Sequence, residues 1–201
     1  MSRSRREFTR ARADAKIFTV SERKLVLYPR DPSADVDADI VERTLRAVDF
    51  IGRSIEVVGD RRFRPGSQFE NLVDFNSPGR VFDDTSVDPK RCMVGIPEVR
   101  EEIDFLGGSN VIAPHCNCGF TFADWDRRVD QWRGSGDAWR CDCCGAEGPP
   151  WNFDWKHSAA FGRSNIDIFG IDLGEAVPSP DLMDALKQAN GSEWDYFYFV
   201  A

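Results

Sequence analysis

Five of the six cysteines lie close together in the chain, between positions 116 and 144. The charged N-terminus has no apolar stretch behind it, unlike a secretory signal, so we expect a cytoplasmic protein. Thiols stay reduced in the cytoplasm, and a tight group of cysteines there indicates a metal site rather than disulfides. This cluster strongly constrains the fold, because the segments on both sides of it must bring the thiols together.

The second half of the cluster has the spacing of a zinc-binding turn. A structural zinc site takes four soft ligands in a tetrahedron, usually from two tight turns. A gap of two residues lets both ligands of one turn reach the ion, and a following glycine lets the turn close without a Cβ clash. Cys141 and Cys144, followed by Gly145, fit this rule, and Cys143 is left as a spare thiol.

The first half of the cluster is less regular. Cys116 and Cys118 are separated by one residue, whereas His115 and Cys118 have the expected gap of two. We favour Cys116 because thiolates bind zinc strongly, and His115 is the alternative fourth ligand. A cluster that has lost its metal is the competing interpretation. The expected zinc ligands are Cys116, Cys118, Cys141 and Cys144.

Helical and strand patterns alternate without a regular βαβ rhythm, which favours an α+β fold. We expect a mixed or antiparallel sheet with a few helices and an inserted zinc-ribbon-like module. The predicted helices are 37–50, stopped at Gly52, a short helix over 69–75, 124–132, and a helix that Ser179 caps and Asn190-Gly191 ends. The predicted strands are 24–30, 54–58, 92–99, 109–113, 138–141, 165–171 and 194–200, with a loop over 76–90 that holds a short strand near Val81-Phe82.

Charge divides the chain into a basic arm and an acidic body. The net charge is −8, and residues 1–16 carry six cations and two acids, a local +4, so the remainder carries −12. We expect a basic N-terminal arm over 1–23 and a single α+β domain over 24–201, with the zinc-ribbon-like module at 109–148.

Residues 109–148, with two cysteine turns and flanking strands, resemble a zinc ribbon. The wider chain resembles a family of uncharacterised bacterial proteins that contain such a ribbon, some of them labelled "sugar ABC transporter ATPase". The resemblance rests on FIGRSIEVV (50–58), FRPGSQFENLVDFNSP (63–78), WRCDCCG (139–145), NFDWKHSAAFGRSNIDIFGI (152–171), EAVPSPDLMDAL (175–186) and WDYFYFV (194–200). The sequence has no G-x-x-x-x-G-K-[ST] stretch to cradle a phosphate, so the label does not imply ATPase activity here.

Catalytic motifs are scarce. The chain has two histidines and no H-E-x-x-H pattern, and Asn117 stands where a zinc deaminase needs glutamate after a ligating histidine. Cys143 with His157 would make a nucleophile pair, but the nearby thiols that compete for metal argue against it. Asp154 and His157 either line a pocket or tie a strand to neighbouring backbone. The tryptophans beside the cluster fit a core better than a stacking platform for bases.

Three classes of function remain. The expected one is a non-enzymatic zinc-ribbon protein that binds another protein as an inhibitor, immunity protein or adaptor, with a basic partner favoured by the acidic body. A minor alternative is a zinc-dependent enzyme with an open position on the metal, in which Cys143 or His115 contacts the ligands without binding the ion. The other alternative is a nucleic-acid-binding ribbon, disfavoured by net charge, that uses the basic arm with Arg127, Arg128, Arg133 and Arg140.

No apolar run is long enough for a membrane span, so we expect no membrane partner.

Overall fold

A computed structural model of the protein describes residues 22–34, 36–57, 60–76 and 92–201. The basic arm up to Ser21 and the predicted strand near Val81-Phe82 lie outside these residues. Among the described residues, no helix is long and apolar enough to cross a membrane.

Four α-helices and twelve β-strands make up the described part of the chain. The helices are α1 (Ala38–Ala47), α2 (Phe69–Leu72), α3 (Trp125–Ser135) and α4 (Pro180–Asn190). The strands are β1 (Arg23–Pro29), β2 (Ile51–Val57), β3 (Asp60–Pro65), β4 (Val73–Phe75), β5 (Met93–Ile96), β6 (Asp104–Gly107), β7 (Trp139–Arg140), β8 (Glu147–Gly148), β9 (Ala159–Gly162), β10 (Ile166–Phe169), β11 (Ala176–Pro178) and β12 (Trp194–Val200). Helices packed with antiparallel strands confirm the predicted α+β class.

The largest sheet has six antiparallel strands in the order β12-β1-β10-β5-β3-β2. Side chains of a strand alternate between the two faces. Leu25 and Leu27 of β1 therefore join the apolar core on one face, while Val26 packs on the other. We call this sheet, with α1, α2 and α4 on the first face, the sheet layer.

The helices of the sheet layer begin at capped ends. The carboxylate of Asp37 accepts a hydrogen bond from the backbone N–H of Asp39 at 2.7 Å, and the hydroxyl of Ser179 accepts one from Leu182 at 3.3 Å. Gly191, with φ of 75°, ends α4. The limits predicted for this last helix are therefore confirmed, because Ser179, Pro180 and Gly191 each satisfy a local backbone requirement.

Strands β6 and β9 form a two-stranded ribbon that lies between two apolar regions. Their paired residues Leu106 and Ala160 pack on Val26 and Phe197 of the six-stranded sheet. The neighbouring pair, Phe105 and Phe161, faces the opposite way. That second region surrounds the cysteine turns and α3, and we call it the aromatic layer. Its buried residues are Cys116, Phe122, Val129, Trp132, Trp139, Cys141, Phe153, Trp155, Ala159 and Phe161.

Two predicted boundaries around the first helix are wrong. Helix α1 ends at Ala47, and Gly52 lies inside strand β2 instead of stopping the helix. The chain turns at Asp49, which has φ of 53°, so that Phe50 becomes fully buried. Gly52 has a tertiary role, because a Cβ there would lie 3.0 Å from the carbonyl oxygen of Pro65 on the paired strand.

Two other predicted elements differ from the structure. The helix predicted over 69–75 stops at Leu72, and the following residues form β4, which pairs with β11. The strand predicted over 109–113 is absent from the described chain, and β6 precedes that position. Ser109 and Asn110 instead hydrogen-bond to the outer edge of β12, at Val200 and Tyr198. Satisfying an exposed sheet edge in this way protects it from pairing with another chain.

Candidate metal centre

Each half of the cysteine cluster forms a tight turn closed by backbone hydrogen bonds. In the first turn the N–H of Gly119 donates to the carbonyl of Cys116 at 2.8 Å. In the second turn the N–H of Gly145 donates to the carbonyl of Cys141 at 2.9 Å. Both glycines have positive φ, 89° and 73°, a conformation that other residues adopt only at a cost. The glycine that follows each cysteine pair is thus required by the turn.

The two turns bring four sulfur atoms together. Cys116 Sγ lies 3.7 Å from Cys144 Sγ, and Cys118 Sγ lies 3.6 Å from Cys141 Sγ. All four sulfurs lie within 4.8 Å of one another. A tetrahedral ion with metal–sulfur bonds of about 2.3 Å has sulfur–sulfur edges of about 3.8 Å. The four cysteines therefore have the separation and the chemistry to hold a metal ion.

His115 stands outside this group. Its backbone lies beside the first turn, where it is bridged to Thr121 and exchanges two hydrogen bonds of 2.9 Å with Asp154. Its Nδ1 is buried and has no hydrogen-bond partner among the described residues. Cys116, and not His115, lies with the other three sulfur atoms in the group that could hold a metal ion. Cys143 is exposed and also lies outside the four.

The thiols of the cluster affect one another's ionisation. Burial raises the pKa of Cys141, but backbone N–H groups of Cys144 and Cys143 and the nearby thiols bring it below its ordinary value. The N–H of Cys118 lowers the pKa of Cys116, yet burial and its neighbouring thiols give a net rise. Four thiols at these distances cannot all ionise without a cation between them, so a metal ion that binds here displaces protons.

An aromatic core packs against the two cysteine turns. Phe122, fully buried after the first turn, contacts Phe153 with ring centroids 4.6 Å apart and Trp139 at 5.5 Å. Trp139 lies two residues before Cys141, where the second turn begins, and its ring stacks on Phe153. Helix α3 contributes Val129 and Trp132. The tryptophans beside the cluster thus form a core, as their spacing predicts, rather than an exposed platform.

The arginines of α3 are held in ion pairs. Arg128 pairs with Asp124 at 2.9 Å and with Asp142 of the second turn at 3.0 Å, while Arg127 pairs with Asp124 at 2.7 Å. Arg133 pairs with Asp104 at 2.9 Å. Arg140 is exposed beside the second turn. Hence three of the four arginines singled out for nucleic-acid binding are in ion pairs, and two of them, Arg128 and Arg133, connect α3 to other segments.

Asp154 and His157 line a cavity of about 300 Å³ on the side of the aromatic layer that faces β1 and β12. Tyr28, Arg30 and Asp195 form its opposite wall. They carry no sequence motif, and Asp195 is far along the chain from Tyr28 and Arg30, so only the pairing of β1 with β12 reveals that they meet. The sequence pattern therefore offered one wall of this cavity as one of two alternatives and missed the other wall.

The comparisons with known proteins identify no relative of this chain. No family model, no curated protein and no solved structure matches the chain. The resemblance to a bacterial zinc-ribbon family therefore stays a prediction, and the geometry of the cysteine cluster and its surroundings carries the functional argument.

Proposed function

We propose that the cluster binds one zinc ion and that this ion has a structural role. Four thiolates in a tetrahedral arrangement favour zinc or iron, and zinc is the usual occupant of paired cysteine turns. Cys116, Cys118, Cys141 and Cys144 would fill all four positions around it. A catalytic zinc keeps one position open for water or substrate. The closed set of four cysteines is the observation that carries the proposal, and it argues against a zinc-dependent enzyme.

The function that this site supports best is that of a non-enzymatic protein-binding module in the cytoplasm. The metal would stabilise the aromatic layer, and the partner protein would bind to the surface of the molecule. The body of the chain is strongly acidic, and complementary charge speeds association with a basic partner. Exposed carboxylates lie on α2, β4 and the first turns of α4, elements that pack together. These carboxylates are Glu70, Asp74, Asp181 and Asp184.

A nucleic-acid-binding role receives less support. Arg127, Arg128 and Arg133 already pair with aspartates, so phosphate would have to compete with those carboxylates. The net charge of −8 also repels a polyanion. An inhibitor, immunity or adaptor protein that meets a basic surface fits the same observations better.

The first experiment identifies the metal and the partner. Elemental analysis of purified protein should give one zinc per chain, and a stoichiometric iron content would overturn the metal assignment. A pull-down from nuclease-treated lysate should give one stoichiometric basic protein. Its complex, rebuilt from purified components, should weaken as salt rises and when Asp181 and Asp184 are changed to Asn.

The matched control changes Asp126 and Asp130 of α3, which are also exposed, to Asn. This variant should bind the purified partner like the parent protein. Loss of binding in both double variants would indicate a general charge effect instead of a defined surface. A gel shift with DNA or RNA at low salt, without any protein partner, would move the assignment to nucleic acid.

A further inference from the structure

The cavity between the aromatic layer and β1 has features of a small-molecule site. Its volume of about 300 Å³ lies at the lower end of the range for ligand pockets. Aromatic side chains form its floor and ionisable groups its rim. The floor is lined by Trp151, Phe153, Trp155 and Phe161, and the rim by Tyr28, Arg30, Asp154, Lys156, His157 and Asp195.

The rim contains a turn in an unusual backbone conformation. The N–H of Ser158 donates to the carbonyl of Trp155 at 3.0 Å, so residues 155–158 form a β-turn. Its two central residues, Lys156 and His157, have φ of 53° and 52°. Such a turn favours asparagine or glycine, because other residues adopt positive φ at a cost in free energy. Backbone outliers of this kind concentrate at functional sites, where the side chain is needed in that position.

Both layers of the molecule hold this turn in place. On one side Asp154 is bridged to His115, the residue that precedes the first cysteine turn. On the other side the carbonyl of His157 accepts a hydrogen bond of 3.0 Å from the N–H of Tyr198 in β12. The surrounding structure therefore fixes the strained backbone and presents Lys156 and His157 at the cavity.

His157 has a defined orientation. Its ring stacks on Tyr196, with centroids 4.7 Å apart, and its Nδ1 lies 2.7 Å from the carbonyl oxygen of Tyr196. A carbonyl only accepts, so Nδ1 carries the proton and donates. Nε2 is the ring nitrogen left to interact with a ligand. Protonated, Nε2 would be a donor as well.

The balance of donors and acceptors around the rim indicates the charge of a ligand. One carboxylate oxygen of Asp154 accepts a hydrogen bond from the backbone N–H of Lys156, and the other accepts from the ammonium group of Lys156. Asp195 accepts from Arg30 at one oxygen, at 3.1 and 3.2 Å, and from the N–H of Tyr196 at the other. Every carboxylate oxygen on the rim thus already accepts a hydrogen bond, and each carboxylate is paired with a cation of the rim.

The cations of the rim keep N–H donors beyond those that their ion pairs use. Lys156 has three N–H donors on its ammonium group and Arg30 has five on its guanidinium, and their ion pairs use only part of them. The hydroxyl of Tyr28 has no hydrogen-bond partner among the described residues. Burial, reinforced by nearby Asp195, raises the pKa of Tyr28, so the hydroxyl stays protonated and donates.

We propose that this cavity is a binding site for a small anionic molecule, with a carboxylate or phosphate group on a flat apolar body. Surplus donors from Lys156, Arg30 and Tyr28 receive the acidic group. The aromatic floor receives the apolar part. This site is separate from the proposed zinc ion and from the acidic surface, so it goes beyond the proposed protein-binding function.

The test uses benzoate and phenyl phosphate as probes for the two acidic groups and benzylamine as the cationic probe of similar shape. Binding is followed by NMR of the full chain. At least one anion should shift the indole N–H signal of Trp151 and the backbone signals of 154–157, and benzylamine should not. The probe that binds more tightly distinguishes carboxylate from phosphate recognition. Equal binding of benzylamine, no shifts at millimolar anion, or shifts confined to other residues would overturn the proposal.

Three variants locate the interaction. Lys156→Gly removes the ammonium group and relieves the positive φ, so it should unfold at a higher temperature yet bind the better anion about tenfold more weakly. Tyr28→Phe keeps the ring and should weaken binding about fivefold. Lys187→Ala breaks the exposed ion pair between α4 and Glu193, neither residue of which lines the cavity, and should bind like the parent protein. Unchanged affinity for the anion in both cavity variants would overturn the proposed site, whatever the result of the partner search.

Discussion

The sheet layer and the aromatic layer reach a buried core by different physical means. The sheet layer has a continuous ladder of six strands, with three helices over a largely aliphatic core. In the aromatic layer the strands next to the second cysteine turn, β7 and β8, have two residues each. Short strands contribute few ladder hydrogen bonds, and a two-stranded hairpin alone is marginal in water. The four cysteines that could hold a metal ion thus lie where the backbone hydrogen-bond ladder is shortest.

The tryptophans make the two layers distinguishable in solution. Five of the six belong to the aromatic layer, and Trp194 belongs to the core of the sheet layer. Near-UV circular dichroism therefore reports mainly on the aromatic layer. A single-tryptophan fluorescence signal from Trp194, with the other five replaced by Phe, isolates the sheet layer if that variant folds.

Loss of the metal should produce the largest effect. Structural zinc contributes on the order of 10 kcal/mol of apparent binding free energy in small zinc modules. Cys141→Ser, or chelation of the parent protein, should abolish stoichiometric zinc binding and the near-UV signal, while far-UV circular dichroism keeps most of its strand signal. Cys143→Ser is the control, since this exposed thiol lies outside the four-sulfur group, and it should change neither signal. Unaltered melting of a zinc-free protein would refute the structural role of the ion.

A matched pair of cavity-forming substitutions should come next in size. Phe122→Ala in the aromatic layer and Ile168→Ala in the sheet layer both truncate fully buried side chains. We expect losses of about 3–5 and about 2–5 kcal/mol of unfolding free energy, respectively. Competition with a chelator should show weaker zinc binding for Phe122→Ala alone, because Phe122 packs beside both cysteine turns. If Ile168→Ala weakens zinc binding as much, the two layers act as one cooperative unit.

The sequence predicted best those features that a few neighbouring residues determine. Helix α4 has a capping hydroxyl, a proline in the first turn and a terminal glycine, and all three are visible in the sequence. The cysteine turns also follow from spacing and glycine. The spacing left Cys116 and His115 open as alternatives, and only the structure shows that Cys116 lies with the other three sulfur atoms.

Features that depend on distant residues were beyond the sequence pattern. Strand β3, with the sequence DRRFRP, lacks the alternation of a half-buried strand, yet it pairs with both β2 and β5. Gly52 carries no local sign that it approaches the backbone of Pro65. The rim of the cavity joins Tyr28, Asp154 and Asp195 from three separate segments. Such contacts arise from strand pairing, which local periodicity does not specify.

Helix caps offer a smaller test of the difference between the layers. Ser179 caps α4 with its hydroxyl, whereas Asp124 at the start of α3 makes no side-chain cap hydrogen bond. Ser179→Ala should cost about 1 kcal/mol of unfolding free energy in urea titrations. Ser179→Thr keeps the hydroxyl and should lose less. Equal losses in the two variants would mean that packing around Ser179, rather than its hydrogen bond, supplies the stability.

A pH-dependent effect should appear in the sheet layer at Asp167. Burial raises the pKa of Asp167 in spite of the ion pair with Lys24 at 2.8 Å. Because the folded-state pKa lies above the unfolded value of about 3.9, the stability from this group is present at low pH and lost as pH rises. The unfolding free energy of Asp167→Asn relative to the parent protein should therefore increase between pH 4 and pH 7. A difference that decreases over this range would show that the pair with Lys24 outweighs burial.

The carboxylate of Asp124 in the aromatic layer should behave in the opposite sense and with the smallest magnitude. Hydrogen bonds from Arg127 and Arg128 hold the pKa of Asp124 below its ordinary value. Stability from such a group is present above the unfolded pKa and is lost only as pH falls through the lower folded value. Asp124→Asn should thus lower the unfolding free energy by at most about 1 kcal/mol, as expected for a partly exposed ion pair. The loss should be the same at pH 5 and at pH 7. High salt should shrink the difference, because it screens the pair. A difference that varies between pH 5 and pH 7, measured with zinc saturating, would mean that Asp124 acts through the neighbouring cysteine turn, to which Arg128 connects it.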